Sequence, residues 1–97
     1  MYGTVARIRA AAGRGEDLVR LMAIYPELQI PGFVATYVYR MDAAPDEYMM
    51  AVVFADRDSY RRNADDPEQD RRYREMRQVL AADPEWHDGE IVWPQAG

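Results

Sequence analysis

Large apolar side chains fill odd and even positions alike along Phe33-Val34-Ala35-Thr36-Tyr37-Val38-Tyr39 and again along Tyr48-Met49-Met50-Ala51-Val52-Val53-Phe54. A strand sends successive side chains to opposite faces, so a sheet built on these segments is apolar on both. Antiparallel sheets in small monomers usually keep one face polar. Tyr2–Ala10 predicts a first strand with Tyr2, Thr4, Ala6, Ile8 and Ala10 on one face and Gly3, Val5, Arg7 and Arg9 on the other. Ala12-Gly13-Arg14-Gly15 reads as a turn, and a helix is expected from about Glu16 with acids suited to its dipole. Its apolar stripe is Leu18, Leu21, Met22 and Tyr25, and Pro26 is expected to end it.

Pro31-Gly32 opens the second strand, and Asp42-Ala-Ala-Pro-Asp46 has the chemistry of a hairpin loop into the third. Ser59 to about Ala64 predicts a short helical segment. Asp66-Pro67-Glu68-Gln69 then supplies an N-cap, a proline at the first helical position and a glutamine three residues after the cap. That helix is expected to run to about Ala82, with Tyr73, Met76 and Leu80 inward, before a last strand over Trp86–Trp93. The order β-α-β-β-α-β is the ferredoxin-like split unit: an α+β fold, with two helices on one face of a four-stranded antiparallel sheet. The helix-free face is expected to meet a second copy of the chain, giving a homodimeric α/β barrel.

Composition narrows the function. The 97 residues are expected to form one domain, residues 1–97, whose thin core gains from an interface. There is no cysteine, which excludes disulfides and thiolate metal sites. No apolar run approaches the ~20 residues needed to span a bilayer, and no signal peptide is evident. No membrane association is expected, and the cytoplasm is the expected location. The net charge of −5 and acidic runs such as Asp65-Asp66 argue against a nucleic-acid surface. Arg71, Arg72, Arg74 and Arg77 lie among Glu68, Asp70 and Glu75 and read as a salt-bridged solvent face. No Ser/His/Asp or glycine-rich phosphate pattern is present to suggest a hydrolase or nucleotide site.

The chain resembles the antibiotic biosynthesis monooxygenase-like proteins of the dimeric α/β-barrel superfamily. The resemblance rests on Val5-Ala6-Arg7-Ile8 before the Gly13 turn, on Pro31-Gly32-Phe33, and on Val53-Phe54-Ala55-Asp56 running into Ser59-Tyr60. It implies either a small monooxygenase that works without cofactor or metal, or a non-catalytic dimeric module binding a metabolite or partner. In the oxygenase branch an electron-rich phenol itself reduces dioxygen, inside an apolar pocket between helices and sheet. The haem-degrading branch carries Asn, Trp and His where Ala6, Asn63 and Tyr73 stand here. All three depart, so no Soret band is expected on titration with haemin.

Candidate chemistry rests on a few side chains. Tyr73 could hydrogen-bond a phenolate in the helix–sheet cleft, or serve as a core aromatic whose hydroxyl finds water or a carbonyl. Asn63 could bind a substrate oxygen or cap the local bend. His87 could act as a base or be a half-exposed strand residue, and a lone histidine without cysteine makes a poor metal site. Tyr60, Met22, Met76 and Trp86 are expected to line a pocket for a small apolar or aromatic ligand, although Tyr60 also fits as a packing anchor and the methionines as core filling. Arg40, sharing a face with Val34, Thr36 and Val38, and Arg7 and Arg9 need partners. Acids such as Glu90 across a dimer, or an anionic ligand, would supply them.

Overall fold

The computed structural model describes residues 1–95, apart from the side chains of Tyr25 and Pro26. Strand β1 (Tyr2–Arg9) leads into α1 (Gly15–Met22), followed by β2 (Phe33–Arg40) and β3 (Glu47–Phe54). Helices α2 (Arg57–Ala64) and α3 (Pro67–Arg77) precede β4 (Glu85–Glu90). The four strands form one antiparallel sheet in the order β2-β3-β1-β4, the ferredoxin-like arrangement. The pattern along the chain predicts one short helical segment before α3, and α2 is a full helix. It begins two residues earlier than Ser59 because Asp56 caps it, accepting the Ser59 amide at 2.7 Å.

Register sorts the side chains onto the two faces. Ala6, Ile8, Tyr48 and Met50 point toward the helices and are buried against Leu18, Met22, Met76, Val79 and Leu80. The alternation expected of β1 is the one observed: Ala6 and Ile8 are fully buried, while Val5, Arg7 and Arg9 are exposed. In β2 one extra residue, Val34, interrupts the pairing between Phe33↔Phe54 and Ala35↔Val53. This bulge shifts the parity, so that Phe33 and Thr36 both lie on the helix face, opposite Phe54 and Val52. Val34 consequently leaves the face shared by Thr36, Val38 and Arg40, where strict alternation would have kept it.

The opposite face carries no helix. Val5, Tyr37 and Tyr39 stand on it with 50%, 59% and 58% of their surface exposed. Met49, Ala51 and Val53 lie between them on β3.

Three boundaries depart from expectation, each for a local reason. Helix α1 closes at Met22 because Pro26 has no N–H to give the Met22 carbonyl; a 3-10 turn over Tyr25–Leu28 follows. The side chain of Tyr25, expected on the apolar stripe, lies outside the described residues. Helix α3 ends at Arg77 rather than near Ala82. The Val79 carbonyl is taken by the Ala11 amide at 2.8 Å and the Ala81 amide by the Arg9 carbonyl at 2.9 Å, so pairing with β1 pulls the chain out of the helix. Strand β4 stops at Glu90, opposite Tyr2; one more backbone bond, from the Ile91 amide to the Met1 carbonyl at 2.9 Å, uses up the chain's N-terminal residue, and Val92 and Trp93 beyond it are 83% and 80% exposed.

Gly32 sits where only glycine fits, at φ +80°, and a Cβ there would collide with the Ser59 side chain of α2. Its carbonyl accepts from the Ala55 amide at 2.7 Å, so one residue fixes the entry to β2, the exit of β3 and the seat of α2.

The strand arginines find partners within the chain. Arg7 and Arg9 both reach Glu47, at 2.7 and 3.2 Å, while Glu90 lies at the far end of β4 opposite Tyr2. Within the subunit, Glu47 and not Glu90 is the acid that meets them. Arg40 instead lies on the helix face, with Nε 3.4 Å from the Tyr48 hydroxyl. On α3, Arg71 and Arg74 form the anticipated solvent-face pairs with Glu68, Glu75 and Asp70.

The two guanidinium groups hold the Glu47 carboxyl below the usual carboxylate range, with the Arg7 hydrogen bond the largest cause. A depressed folded-state value means that the associated stability is present above the unfolded value near 4.5 and is lost as pH falls through the folded one. Glu47→Gln is therefore expected to lower the melting temperature by a few degrees at pH 7 and to flatten its decline below about pH 4.5. Thermal melts from pH 3 to 8 on both proteins test this, and parallel acid limbs would refute it.

Candidate functional site

Between the helices and the sheet lies a cavity of about 380 Å³, within the usual range for small-molecule sites. Its floor is the helix face of the sheet: Thr4 from β1, Thr36 from β2, Met50, Val52 and Phe54 from β3, and Trp86 and Asp88 from β4. Met22 closes the α1 side. Tyr60, Asn63 and Ala64 of α2 and Gln69, Asp70, Tyr73 and Met76 of α3 form the roof. Three thioethers, a valine, a phenylalanine and a tryptophan give the cavity a soft, apolar surface.

The sequence-derived candidates are mostly brought together. Asn63 and Tyr73 line this cavity, and so do Tyr60, Met22, Met76 and Trp86. Asn63 reaches it because α2 ends one residue later, at Ala64, which leaves the amide at the junction with α3. Tyr73 is half-buried and its ring tilts against Trp86, centroids 6.4 Å apart. His87 is placed elsewhere. It pairs with Val5, so β4 carries Trp86 and Asp88 inward and His87 onto the helix-free face. Strand parity contains that information, since an inward Trp86 forces its neighbour outward.

Polar groups that were not selected as candidates also belong to the wall, Thr4, Asp88 and Asp70 among them. Thr4 is only 6% exposed, and its Oγ1 meets no hydrogen-bond partner among the described residues. Asp88, directly opposite Thr4 in the register, accepts a 2.8 Å hydrogen bond from the Tyr60 hydroxyl. Asp70 lies near the roof and is paired with Arg74 at 2.8 Å. Among the described residues that line the cavity there is no arginine, lysine or histidine. Nor do three or more metal-ligating side chains gather anywhere among the described residues.

Tyr60 is held by contacts on several sides. Its ring packs edge-on against Tyr2 and Phe54, at 5.3 and 5.6 Å. Burial pushes its phenol up to about 12, and the Asp88 carboxylate adds to the rise; the Thr4 hydroxyl nearby acts less strongly the other way, without meeting hydrogen-bond geometry. The phenol is therefore a persistent donor rather than an acid at ordinary pH.

The profile of a family described as antibiotic biosynthesis monooxygenase matches residues 1–75. No match was found among curated proteins. Among solved structures, the chain is similar to SnoaB, a cofactor-independent oxygenase from Streptomyces nogalater solved as an asparagine-to-alanine variant. The two share 19% identity with a TM-score of 0.83 over 96% of this chain and 94% of that one. A Chloroflexus aurantiacus J-10-fl protein assigned to the antibiotic biosynthesis monooxygenases has 22% identity and a TM-score of 0.81, covering 98% and 96% of the two chains. One from Deinococcus radiodurans with the same assignment has 12% identity and a TM-score of 0.82, covering 99% and 97%. At these identities the likeness is one of fold.

A phenol whose folded-state value is raised contributes stability that is fully present below the unfolded value near 10 and lost as pH rises toward about 12. Urea unfolding between pH 8 and 11.5 is expected to show wild-type stability declining above pH 10. Tyr60→Phe is expected to be less stable at pH 8 and to decline less steeply. Equal slopes in the two proteins would contradict the placement of this phenol.

Proposed function

Because the chain belongs to the antibiotic biosynthesis monooxygenase family, we propose that it is a cofactor-independent monooxygenase acting on an electron-rich aromatic molecule in the helix–sheet cavity. The observation that carries the reading is the cavity itself, of substrate size and apolar at its centre, with Asn63 and Tyr73 at its wall. In such a reaction the substrate gives up a proton and then supplies the electrons that reduce dioxygen. For an anthrone, the ring CH₂ becomes a carbonyl: one oxygen atom enters the product and the other leaves as water with the two hydrogens. Tyr73 would donate a hydrogen bond to the substrate oxygen as negative charge gathers there, and the Asn63 amide would hold a second polar point. The methionine and aromatic lining would exclude water and accommodate flat rings.

The same reading includes a dimer. Val5, Tyr37 and Tyr39 form an apolar strip on the helix-free face, whose exposure in a lone subunit a second sheet stacked on it would remove. The chain's own helices all lie on the other side.

Oxygen consumption by purified protein with anthrones and hydroquinones tests the activity. Turnover above the rate of spontaneous oxidation is expected, and Tyr73→Phe is expected to reduce it about tenfold or more. Uptake indistinguishable from that of the unassisted reaction would leave the alternative, a non-catalytic binding module.

Sedimentation velocity at micromolar concentration is expected to give a dimer, and Tyr37→Glu is expected to give folded single subunits. A monomeric wild-type protein would refute the covered face.

A further inference from the structure

One corner of the cavity carries polar chemistry that the proposed activity does not use. Thr4 and Asp88 face each other across β1 and β4, and α2 lowers the Tyr60 hydroxyl onto Asp88 at 2.8 Å. Thr4 Oγ1 is buried and unpartnered among the described residues, which costs stability unless a ligand completes it. The Tyr60 hydrogen is committed to Asp88, so its oxygen is left free to accept. The carboxylate, bonded through one oxygen, can accept as well. No ion pair to Asp88 forms among the described residues, and no cation lines the cavity to offset its charge. The corner therefore offers one donor, Thr4, beside two acceptors and a negative charge.

We propose that Thr4, Tyr60 and Asp88 form a specificity anchor for one uncharged hydroxyl of the aromatic ligand. The ligand hydroxyl accepts from Thr4 Oγ1 and donates to Asp88 or Tyr60. A methyl ether cannot donate, and a carboxylate is repelled, so the corner distinguishes three substituents of similar size. The inference rests on the reading that the cavity takes an aromatic molecule, and it adds an oxygen of the ligand other than the one at which charge develops.

Equilibrium binding separates this from turnover. Calorimetric titration with 1-naphthol, 1-methoxynaphthalene and 1-naphthoate is expected to show the naphthol bound at least about tenfold more tightly than either of the others. Thr4→Val, which keeps the shape and removes the donor, is expected to weaken the naphthol and the ether alike by about threefold or more, whereas the double variant Tyr60→Phe, Asp88→Ala, which removes both acceptors, is expected to shrink the preference over the ether to less than about threefold. Thr4→Ser, retaining the donor, is expected to keep both affinities near those of the wild type. Asp88→Asn is expected to improve naphthoate binding relative to naphthol.

A wild-type protein that binds the ether as well as the naphthol overturns the anchor. So does a preference that survives the Tyr60→Phe, Asp88→Ala double variant, an affinity for both probes unchanged in Thr4→Val, or the failure of every probe to bind. Circular dichroism on each variant identifies any that fail to fold, and the wild-type comparison alone remains decisive. Discrimination without oxygen uptake would refute the monooxygenase reading and leave the anchor standing; uptake without discrimination would do the reverse.

Discussion

The sheet has two apolar faces and helices for only one of them. Everything else in the molecule is arranged around that asymmetry. On the covered side, α1 and α3 bury Ala6, Ile8, Tyr48 and Met50, which is most of the core a chain this short can make. The same side also holds the cavity, because α2 and α3 stand off the sheet where Thr4, Met50 and Trp86 form its floor. On the bare side, Arg7 and Arg9 share Glu47, and Glu85 lies 3.9 Å from Arg7, a cluster of two cations and two anions within an apolar field. Such a cluster can be enclosed by another surface without leaving a charge unpaired.

Much of this architecture is legible in the chain. The alternation in Tyr2–Ala10, the continuous apolar runs of the middle strands and the Asp66-Pro67 helix start each use a short-range rule, and short-range rules survive into the fold. Three things were not legible, for distinct reasons. The Val34 bulge changes which residues share a face, and nothing in Phe33-Val34-Ala35 marks where the extra residue will go. The end of α3 is decided by backbone groups of Arg9 and Ala11, remote in sequence. The Tyr60–Asp88 pair joins residues 28 positions apart, so its existence depends on the finished packing of α2 over β4.

The site follows the same division. Tyr73, Met76 and Met22 could be placed in the cleft by helical spacing alone, and Asn63 by its position at the end of a helix. His87 drew attention through its titration range, yet parity along β4 puts it on the face away from the cavity. Thr4 attracted none, because a threonine in a strand is ordinary. Its interest comes from being buried with an unanswered hydroxyl beside a phenol–carboxylate pair. Chemical type nominates residues, but the direction in which the backbone aims them decides whether they meet.

Strand β4 is an edge strand six residues long, bonded to β1 alone and exposed along its length, yet it contributes Trp86 and Asp88 to the cavity wall. Half of the hydrogen-bonding edge of such a strand has no neighbour within the subunit, so its detachment costs less than that of β1 or β3. The chamber is thus bounded by the least firmly held part of the sheet. Peeling of this border would open the cavity to solvent without a dedicated flap.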